Sequence, residues 1–109
     1  MADCIFCNII AGEIPSTKIY ETDRVYAFRD INPAAPVHVL IIPKAHVASL
    51  LAEGAADWGK DLLLAAKEIA TELGVADNFR CVFNTGACGD VDHLHLHLLG
   101  GRDFTWPPG

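Results

Sequence analysis

The segment His93-Leu94-His95-Leu96-His97-Leu98-Leu99 alternates histidine with leucine and is followed by Gly100 and Gly101. Successive side chains of a β-strand point to opposite faces of the sheet. The pattern therefore predicts a strand over residues 93–99 with its three imidazoles on one face, about 6.6 Å apart from one to the next at the usual strand rise. The leucines would face the core, which leaves the imidazole face free for chemistry.

The rest of the chain predicts an α+β domain with an antiparallel sheet. Strands are predicted over residues 18–20, 24–28, 37–42 and 80–84, which lie between turn residues. The segment 57–73 carries apolar residues at helical spacing, and Gly74 would end that helix. The apolar run 4–10 predicts a short N-terminal helix that ends before Gly12 and Pro15. This order of elements is typical of an antiparallel sheet, here of about five strands, with one long helix and one short one.

Length and charge restrict the number of domains and the class of partner. With 109 residues, of which 51% are apolar, the chain can bury one core and is too short for two domains. The net charge of −6 argues against binding a nucleic-acid polymer through a broad basic surface. A pocket for one small anion stays possible, because local donors can outweigh the overall field.

The chain also lacks sequence features of membrane insertion and secretion. No stretch reaches the ~18 apolar residues that a bilayer-spanning helix needs. The start, Met1-Ala2-Asp3-Cys4, has neither the basic nor the long apolar segment of a signal peptide. Four cysteines without a secretion signal indicate reduced thiols or metal ligands. We therefore expect a cytoplasmic protein that does not contact membranes.

Three imidazoles on one face predict acid–base or covalent chemistry, because histidine titrates near neutral pH and can act as a nucleophile. A catalytic zinc site with three histidines is an alternative. However, His93 and His97 would lie ~13 Å apart along a strand, whereas zinc binds imidazole nitrogens at ~2.0 Å. A merely solvent-exposed polar face is the weakest interpretation, since histidine occupies all three same-face positions.

The motif Cys4-Ile5-Phe6-Cys7 supplies two thiols at the spacing of half a tetrahedral zinc site. The missing ligands would be histidines, with His38, His46 and one end of the triad as candidates. A redox motif of the thioredoxin kind is a second interpretation, although such motifs normally follow a strand in a βαβ unit. Two buried thiols on a short apolar helix are the third.

Two loops carry polar residues that suit a nucleotide. Asp30, in the proline-containing loop 30–36, could accept hydrogen bonds from ribose hydroxyls or could simply cap a turn. His38 begins the central strand and could reach the face of the triad. The loop from Asn84 to Asp90 contains two glycines, and its backbone N–H groups could hold a phosphate beside the histidines. Asn84 could donate to an oxyanion or a leaving group.

Together these residues resemble the histidine triad (HIT) family, which is named for a His-x-His-x-His motif followed by apolar residues. The resemblance runs from end to end and predicts one HIT domain over residues 1–109. Besides the triad it rests on Cys4-Ile5-Phe6-Cys7, Phe28-x-Asp30-Ile31-x-Pro33, Pro36-Val37-His38, Ile42-Pro43-Lys44-x-His46, Asn84 and Trp106-Pro107-Pro108-Gly109. The last element, together with Leu99-Gly100-Gly101-Arg102, resembles the Hint branch of that family.

The resemblance implies a nucleotide-binding homodimer that hydrolyses purine nucleoside phosphoramidates, such as AMP linked to an amine. His95 would be the nucleophile that forms a nucleotidyl-imidazole intermediate. His97 would contact the phosphate and the leaving group, while His93 and His38 would orient His95 and relay protons. No cofactor would be needed for this chemistry.

The same resemblance implies the residues that bind the nucleotide. Asp30 would hold the ribose hydroxyls, Asn84 would lie beside the phosphate, and Trp106 would approach the site of the partner subunit. The base pocket would be lined by Ile5, Phe6, Phe28, Ile31 and Leu40.

A structural zinc ion is a further implication. Some members of the family bind zinc through a Cys-x-x-Cys motif, the histidine after Pro-Lys-x and the first triad histidine. In this chain those ligands would be Cys4, Cys7, His46 and His93. Four protein ligands leave no open position, so the ion would stabilise the fold and would hold His93 in place.

One departure lies just before the triad. The family usually has Gly-Gln-Ser/Thr-Val-x-His there, whereas this chain has Gly89 in place of the glutamine and Asp90 in place of the hydroxyl residue. Backbone N–H groups of Gly89 and Asp90 could still bind phosphate, but the Asp90 carboxylate would repel it, and Asp92 adds charge. We therefore expect slow turnover or a different substrate. A nucleotide- or partner-binding module with weak catalysis stays an alternative, and a redox or zinc sensor using Cys4 and Cys7 is a third.

Overall fold

The structure, a computed structural model, describes residues 3–109 and has two helices and five strands within that range. The helices are α1, Ile5–Ile10, and α2, Gly59–Glu72. The strands are β1, Lys18–Glu21; β2, Val25–Arg29; β3, Val37–Pro43; β4, Phe79–Val82; and β5, Leu96–Gly100. Short 3-10 turns occupy Ala55–Trp58 and Gly86–Cys88. Neither helix combines the length and hydropathy that a membrane-spanning segment needs.

All five strands form one antiparallel sheet in the order β1-β2-β3-β5-β4. β3 is the central strand, and nearly all of its residues are buried. Both faces of β3 are covered, which explains why its sequence is a continuous apolar run rather than an alternation of apolar and polar residues. The predicted α+β class with an antiparallel five-stranded sheet, one long helix and one short helix is confirmed.

Two apolar cores lie on opposite faces of the sheet. The helix-side core joins Leu62 and Ile69 of α2 to Val39 and Ile41 of β3. The histidine-side core packs α1 onto the other face and consists of Cys4, Phe6, Ile9, Phe28, Leu40 and Ile42. Because side chains alternate along a strand, neighbouring residues of β3 serve different cores. The helix-side core holds the sheet together, and the histidine-side core positions α1 next to the triad.

Two predicted boundaries, the start of the long helix and the end of β4, shift by two residues each. The long helix begins at Gly59 rather than at residue 57, because the chain before it forms the 3-10 turn Ala55–Trp58. Its end is as predicted: Gly74 adopts a positive φ of 74°, the conformation that ends helices and that glycine adopts without strain. β4 ends at Val82 instead of residue 84, since Asn84 already belongs to the loop before the triad.

The predicted strand over residues 93–99 begins three residues later than expected. β5 begins at Leu96, which is the last residue paired with β3, opposite Ile41. Before that point the Leu94 N–H donates to the Val47 carbonyl, 2.6 Å away in the loop after β3. The chain therefore leaves the ladder, and His95 lies outside the strand. The alternation itself is confirmed, because the three alternating leucines, Leu94, Leu96 and Leu98, lie in the helix-side core.

Candidate active site and metal-binding cluster

The triad histidines lie on the same side of the sheet as α1, where Phe6 packs against two of them. The ring centroid of Phe6 is 5.2 Å from that of His95 and 5.9 Å from that of His93, both edge to face. The rings of His95 and His97 are 5.0 Å apart. The two rings are thus direct neighbours, although β5 begins only at Leu96.

His95 has the geometry of a nucleophile with a fixed tautomer. The residue is buried, and its Nδ1 lies 2.7 Å from the backbone carbonyl of His93. Because a carbonyl can only accept, Nδ1 carries the proton, and in the neutral ring Nε2 keeps a free lone pair. The free nitrogen faces the loop that precedes the triad, where Asp90 Oδ1 lies 3.6 Å away.

A second pair of imidazoles stands beside His95. The Ala34 N–H donates to His38 Nδ1 at 3.0 Å, so the proton of the neutral His38 ring is on Nε2. That Nε2–H then donates to His97 Nδ1 at 2.9 Å. It follows that His97 carries its own proton on Nε2, a buried atom without a hydrogen-bond partner within the described residues. The chain of contacts thus presents one N–H donor beside the candidate nucleophile.

Asp30 makes the turn-capping contact that was one of its two predicted roles, and it also faces His38. Its Oδ1 accepts a hydrogen bond from the Asn32 N–H at 2.8 Å, which is a turn-capping contact. Its Oδ2 lies 3.4 Å from His38 Nε2, so the carboxylate also faces the imidazole pair. The turn fixes the carboxylate in a position where it is only partly buried and can still accept hydrogen bonds from a ligand.

The surroundings of the pair favour neutral rings. Burial lowers the pKa of His38, and the nearby Asp30 carboxylate opposes that shift. Burial also lowers the pKa of His97, with smaller contributions from His95 and His38, while Asp30 and Asp90 oppose it. Desolvation is the largest cause for both rings, and it disfavours the protonated form.

A dependence of stability on pH follows from these lowered pKa values. Because the unfolded histidines, with an ordinary pKa of 6.5, bind protons that the folded ones do not, we expect the free energy of unfolding to decrease as the pH falls below 6.5. Urea unfolding between pH 8 and pH 5 measures this slope. The variant His97→Asn should lose less stability over the same interval than the wild type. Parallel profiles would contradict a lowered pKa for His97.

The four residues predicted as zinc ligands come together in one cluster. The ligand atoms of Cys4, Cys7, His46 and His93 all lie within 4.8 Å of one another. His93 Nδ1 is 3.4 Å from Cys4 Sγ and 3.6 Å from Cys7 Sγ, and His46 Nδ1 is 3.3 Å from Cys7 Sγ. In a tetrahedron with Zn–S of ~2.3 Å and Zn–N of ~2.0 Å, sulfur and nitrogen are about 3.5 Å apart. The donor set and its spacing therefore fit one zinc ion.

His93 is also prepared for a metal by its second nitrogen. Its Nε2 donates to the Pro43 carbonyl at 2.9 Å, which leaves Nδ1 unprotonated and directed at the two thiols. Both nitrogens of this ring are therefore engaged, and His93 reaches His95 through its backbone carbonyl alone. Sequence reasoning did not predict that the Pro43 carbonyl would accept this hydrogen bond, because a contact between residues 50 positions apart leaves no local pattern.

The loop before the triad brings further polar groups to the site. Asn84, His38 and His97 line a cavity of about 300 Å³. Arg80 and Arg102 line the same cavity, and both lie over the ring of Phe104, with guanidinium carbons 4.8 and 4.4 Å from the ring centroid. Sequence reasoning named Arg102 only within the Hint-like motif and did not predict that the two arginines, 22 residues apart, line one cavity. Gly89 lies in the same loop, and Asn84, Gly89 and His95 line a smaller neighbouring pocket.

The residues predicted to bind the base separate into two groups. Phe6, Phe28 and Leu40 are buried together in the histidine-side core. Ile5 and Ile31 are 47% and 91% exposed, so they do not join the others in an enclosed pocket. Trp106 is exposed near the C-terminus, and its predicted contact with a partner subunit stays a prediction.

The fold and the two histidine clusters define a histidine triad protein, and comparison with known proteins agrees. The chain matches the HIT domain family over residues 11–104 and therefore belongs to the HIT family. Among solved structures it is similar to a histidine triad protein of Clostridium difficile, with a TM-score of 0.92, 44% identity and coverage of 96% of both chains. A HIT family hydrolase of Clostridium thermocellum has a TM-score of 0.90 and 50% identity, again with 96% of both chains covered.

Within the family the chain lies in the Hint-like branch. It is 48% identical to the adenylylsulfatase HINT1 of Arabidopsis thaliana, over 96% of this chain and 76% of that protein. It is also 48% identical to a 14 kDa zinc-binding protein of Brassica juncea, over 98% of this chain and 100% of that protein. A histidine triad nucleotide-binding protein of Candida albicans has a TM-score of 0.83 and 40% identity, covering 96% of this chain and 83% of its own.

Proposed function

We propose that this chain hydrolyses purine nucleoside phosphoramidates through a covalent nucleotidyl-His95 intermediate. The observation that carries the proposal is the fixed tautomer of His95, whose free Nε2 stands beside the unpartnered N–H of His97. Membership of the HIT family, with relatives named as an adenylylsulfatase and as a HIT family hydrolase, makes the chain a hydrolase. We propose in addition that the bond cleaved is a P–N bond and that the reaction passes through a covalent intermediate.

The first step transfers the nucleotidyl group to His95. The Nε2 lone pair attacks the α-phosphorus, the P–N bond breaks, and the leaving nitrogen takes up one proton from solvent to depart as the amine. The His97 Nε2–H donates a hydrogen bond to the phosphoryl group and the leaving nitrogen as charge develops there. His95 becomes an N-phosphorylated imidazolium, and its Nδ1–H still donates a hydrogen bond to the His93 carbonyl.

The second step releases AMP. A water molecule attacks the phosphorus, the bond from phosphorus to Nε2 breaks, and the water gives one proton to solvent. His95 returns to its neutral tautomer because the His93 carbonyl has kept the Nδ1 proton in place. Splitting the hydrolysis into two displacements lets one imidazole serve as nucleophile and then as leaving group.

The other predicted residues would hold the nucleotide. The Asp30 carboxylate would accept the ribose hydroxyls, and because Oδ2 also faces His38, ribose binding would occur next to the imidazole pair. Asn84 and the backbone of Gly89 and Asp90 would contact the phosphate. The base would lie against Phe6, Phe28 and Leu40, with Ile5 and Ile31 at its exposed edge.

A bound zinc ion would serve a structural role. Cys4, Cys7, His46 and His93 would hold it, and with four protein ligands it would have no open position for substrate. When bound, such an ion supplies a crosslink between distant parts of the chain rather than a step of the reaction. The name of the Brassica juncea relative supports zinc as the metal.

The assembly and location of the protein complete the proposal. Residues 1–109 form one HIT domain that works as a homodimer in the cytoplasm. β4 is an edge strand, and Phe79 on it and Trp106 are exposed large side chains, which is consistent with coverage by a second copy. The four cysteines are all free, as expected in a reducing compartment.

Release of AMP from an adenosine 5′-phosphoramidate tests the activity. We expect the purified protein to release AMP and amine in equal amounts, measured by chromatography, because each turnover breaks one P–N bond. Absence of AMP release from adenosine and guanosine phosphoramidates alike would contradict the proposal.

One observation favours a second candidate, a nucleotide-binding module with weak catalysis. The Asp90 carboxylate lies 3.6 Å from His95 Nε2, where it would repel an approaching phosphate. Tight binding of AMP without turnover would identify this function.

A further inference from the structure

Asp90 occupies an unusual position for a carboxylate. Its Oδ1 lies 3.6 Å from Nε2 of His95, the atom that would attack phosphorus. The two residues differ sharply in exposure, because the His95 side chain is 3% exposed and the Asp90 side chain is 83% exposed. A buried imidazole thus directs its free nitrogen toward the opening of the site, and a solvated negative charge stands at that opening.

The cavity beside this opening is acidic. It has a volume of about 410 Å³, and its lining includes Asp3, Asp90 and Asp92 but no lysine or arginine. None of these three carboxylates forms an ion pair with a lysine or arginine within residues 3–109. A chain that extends from the phosphorus past Asp90 into this cavity therefore meets three carboxylates that no lysine or arginine of residues 3–109 pairs with.

We infer that Asp90 makes the enzyme select leaving groups that carry a positive charge of their own. The inference rests on the proposed phosphoramidase function and adds the class of amine. An ammonium group at the far end of the leaving amine would pair with Asp90, and the carboxylates of Asp3 and Asp92 would add to the attraction. A neutral chain would gain nothing there, and an anionic chain would be repelled.

A cationic leaving group also weakens the repulsion between Asp90 and the substrate phosphate. A carboxylate next to the reaction centre raises the energy of a phosphate that enters with its negative charge. A positive charge on the leaving group pairs with Asp90, so binding of the correct substrate offsets part of the repulsion. Asp90 thereby acts on specificity by rejecting the wrong substrates as well as by attracting the right ones.

Three adenosine 5′-phosphoramidates that differ only at the far end of the amine test the inference. The amines are 1,5-diaminopentane, pentylamine and 5-aminopentanoate, whose free ends are cationic, neutral and anionic. We expect kcat/KM of the wild type to fall about fivefold at each step of this series in low salt, the upper range of one exposed ion pair. In 0.5 M NaCl the differences should shrink, because exposed charges are screened.

Variants assign the selection to one residue. Asp90→Asn keeps the size of the side chain and should bring the three kcat/KM values to within about twofold of one another. Asp23→Asn makes the same change of charge in the turn between β1 and β2 and should keep the wild-type order. Equal kcat/KM for the three substrates in the wild type, or an unchanged order in Asp90→Asn, would overturn the inference.

The result also separates this inference from the proposed function. If none of the three compounds is hydrolysed, the phosphoramidase proposal fails. Binding of the same compounds then tests the selection by charge. Their Kd values, measured by calorimetry, must rise in the order cationic, neutral, anionic for the wild type and converge for Asp90→Asn. Equal Kd values in the wild type would overturn the selection by charge.

Discussion

Replacement of His95 by alanine is expected to reduce AMP release from an adenosine phosphoramidate by about 10⁴-fold or more. Removing the nucleophile of a covalent mechanism leaves only binding and the hydrogen bonds around the phosphate to assist attack by water. The effect should be mainly on kcat, because His95 acts in the chemical step. Single-turnover kinetics of wild type and variant measure the difference directly.

The intermediate gives this prediction a second measurement. Wild-type protein quenched in acid-free denaturant during turnover should carry one nucleotidyl group on His95, detected by mass spectrometry of peptides. His95→Ala should carry none. Because the ring is buried against Phe6, unfolding and AMP binding of His95→Ala and His95→Gln must be measured beside activity. Near-normal turnover in both folded variants would refute covalent catalysis by this residue.

Loss of the metal-binding cluster is expected to have the largest effect on stability. Cys4→Ser should abolish stoichiometric zinc and lower the free energy of unfolding by at least about 3 kcal/mol, which corresponds to a fall in Tm of roughly 10 °C or more. The reason is topological, because Cys4 and His93 lie 89 residues apart and meet only in the folded chain. Zinc analysis of protein purified without added metal, and thermal unfolding with and without chelator, measure both effects.

The chain supplies a matched control for this experiment. Cys81 and Cys88 are exposed free cysteines outside the cluster. Cys81→Ser and Cys88→Ser make the same chemical change and should keep zinc content and Tm close to the wild type. A chelator that leaves the wild-type Tm unchanged, or equal losses in Cys88→Ser and Cys4→Ser, would show that the cluster does not hold a stabilising ion.

The two clusters are connected through one residue. The His93 side chain belongs to the metal-binding cluster, while its backbone carbonyl fixes the tautomer of His95. A metal on Nδ1 would therefore hold in place the carbonyl on which the candidate nucleophile depends. Through this arrangement, the stability of the N-terminal helix and the geometry of the reaction centre depend on the same residue.

Sequence reasoning predicted the local elements well where the pattern was strong. The continuous apolar run of β3 predicted a central strand, and Gly74 predicted the end of α2, because burial on two faces and a positive φ leave clear signs in the sequence. The start of β5 could not be predicted in this way. Histidine and leucine continue to alternate before Leu96, but the backbone there bonds to the loop after β3, which is a distant partner.

The sequence by itself determined the family of this protein and the candidate residues for its chemistry. The spacing of the triad, the Cys-x-x-Cys motif and the order of elements require only local geometry, so they can be read along the chain. Only the tertiary structure decided which nitrogen of each histidine is free, because tautomers depend on the carbonyls of Pro43 and His93 and on the N–H of Ala34. It also decided that Asp90 faces His95, since the angle at which a loop returns to the sheet depends on contacts across the whole fold.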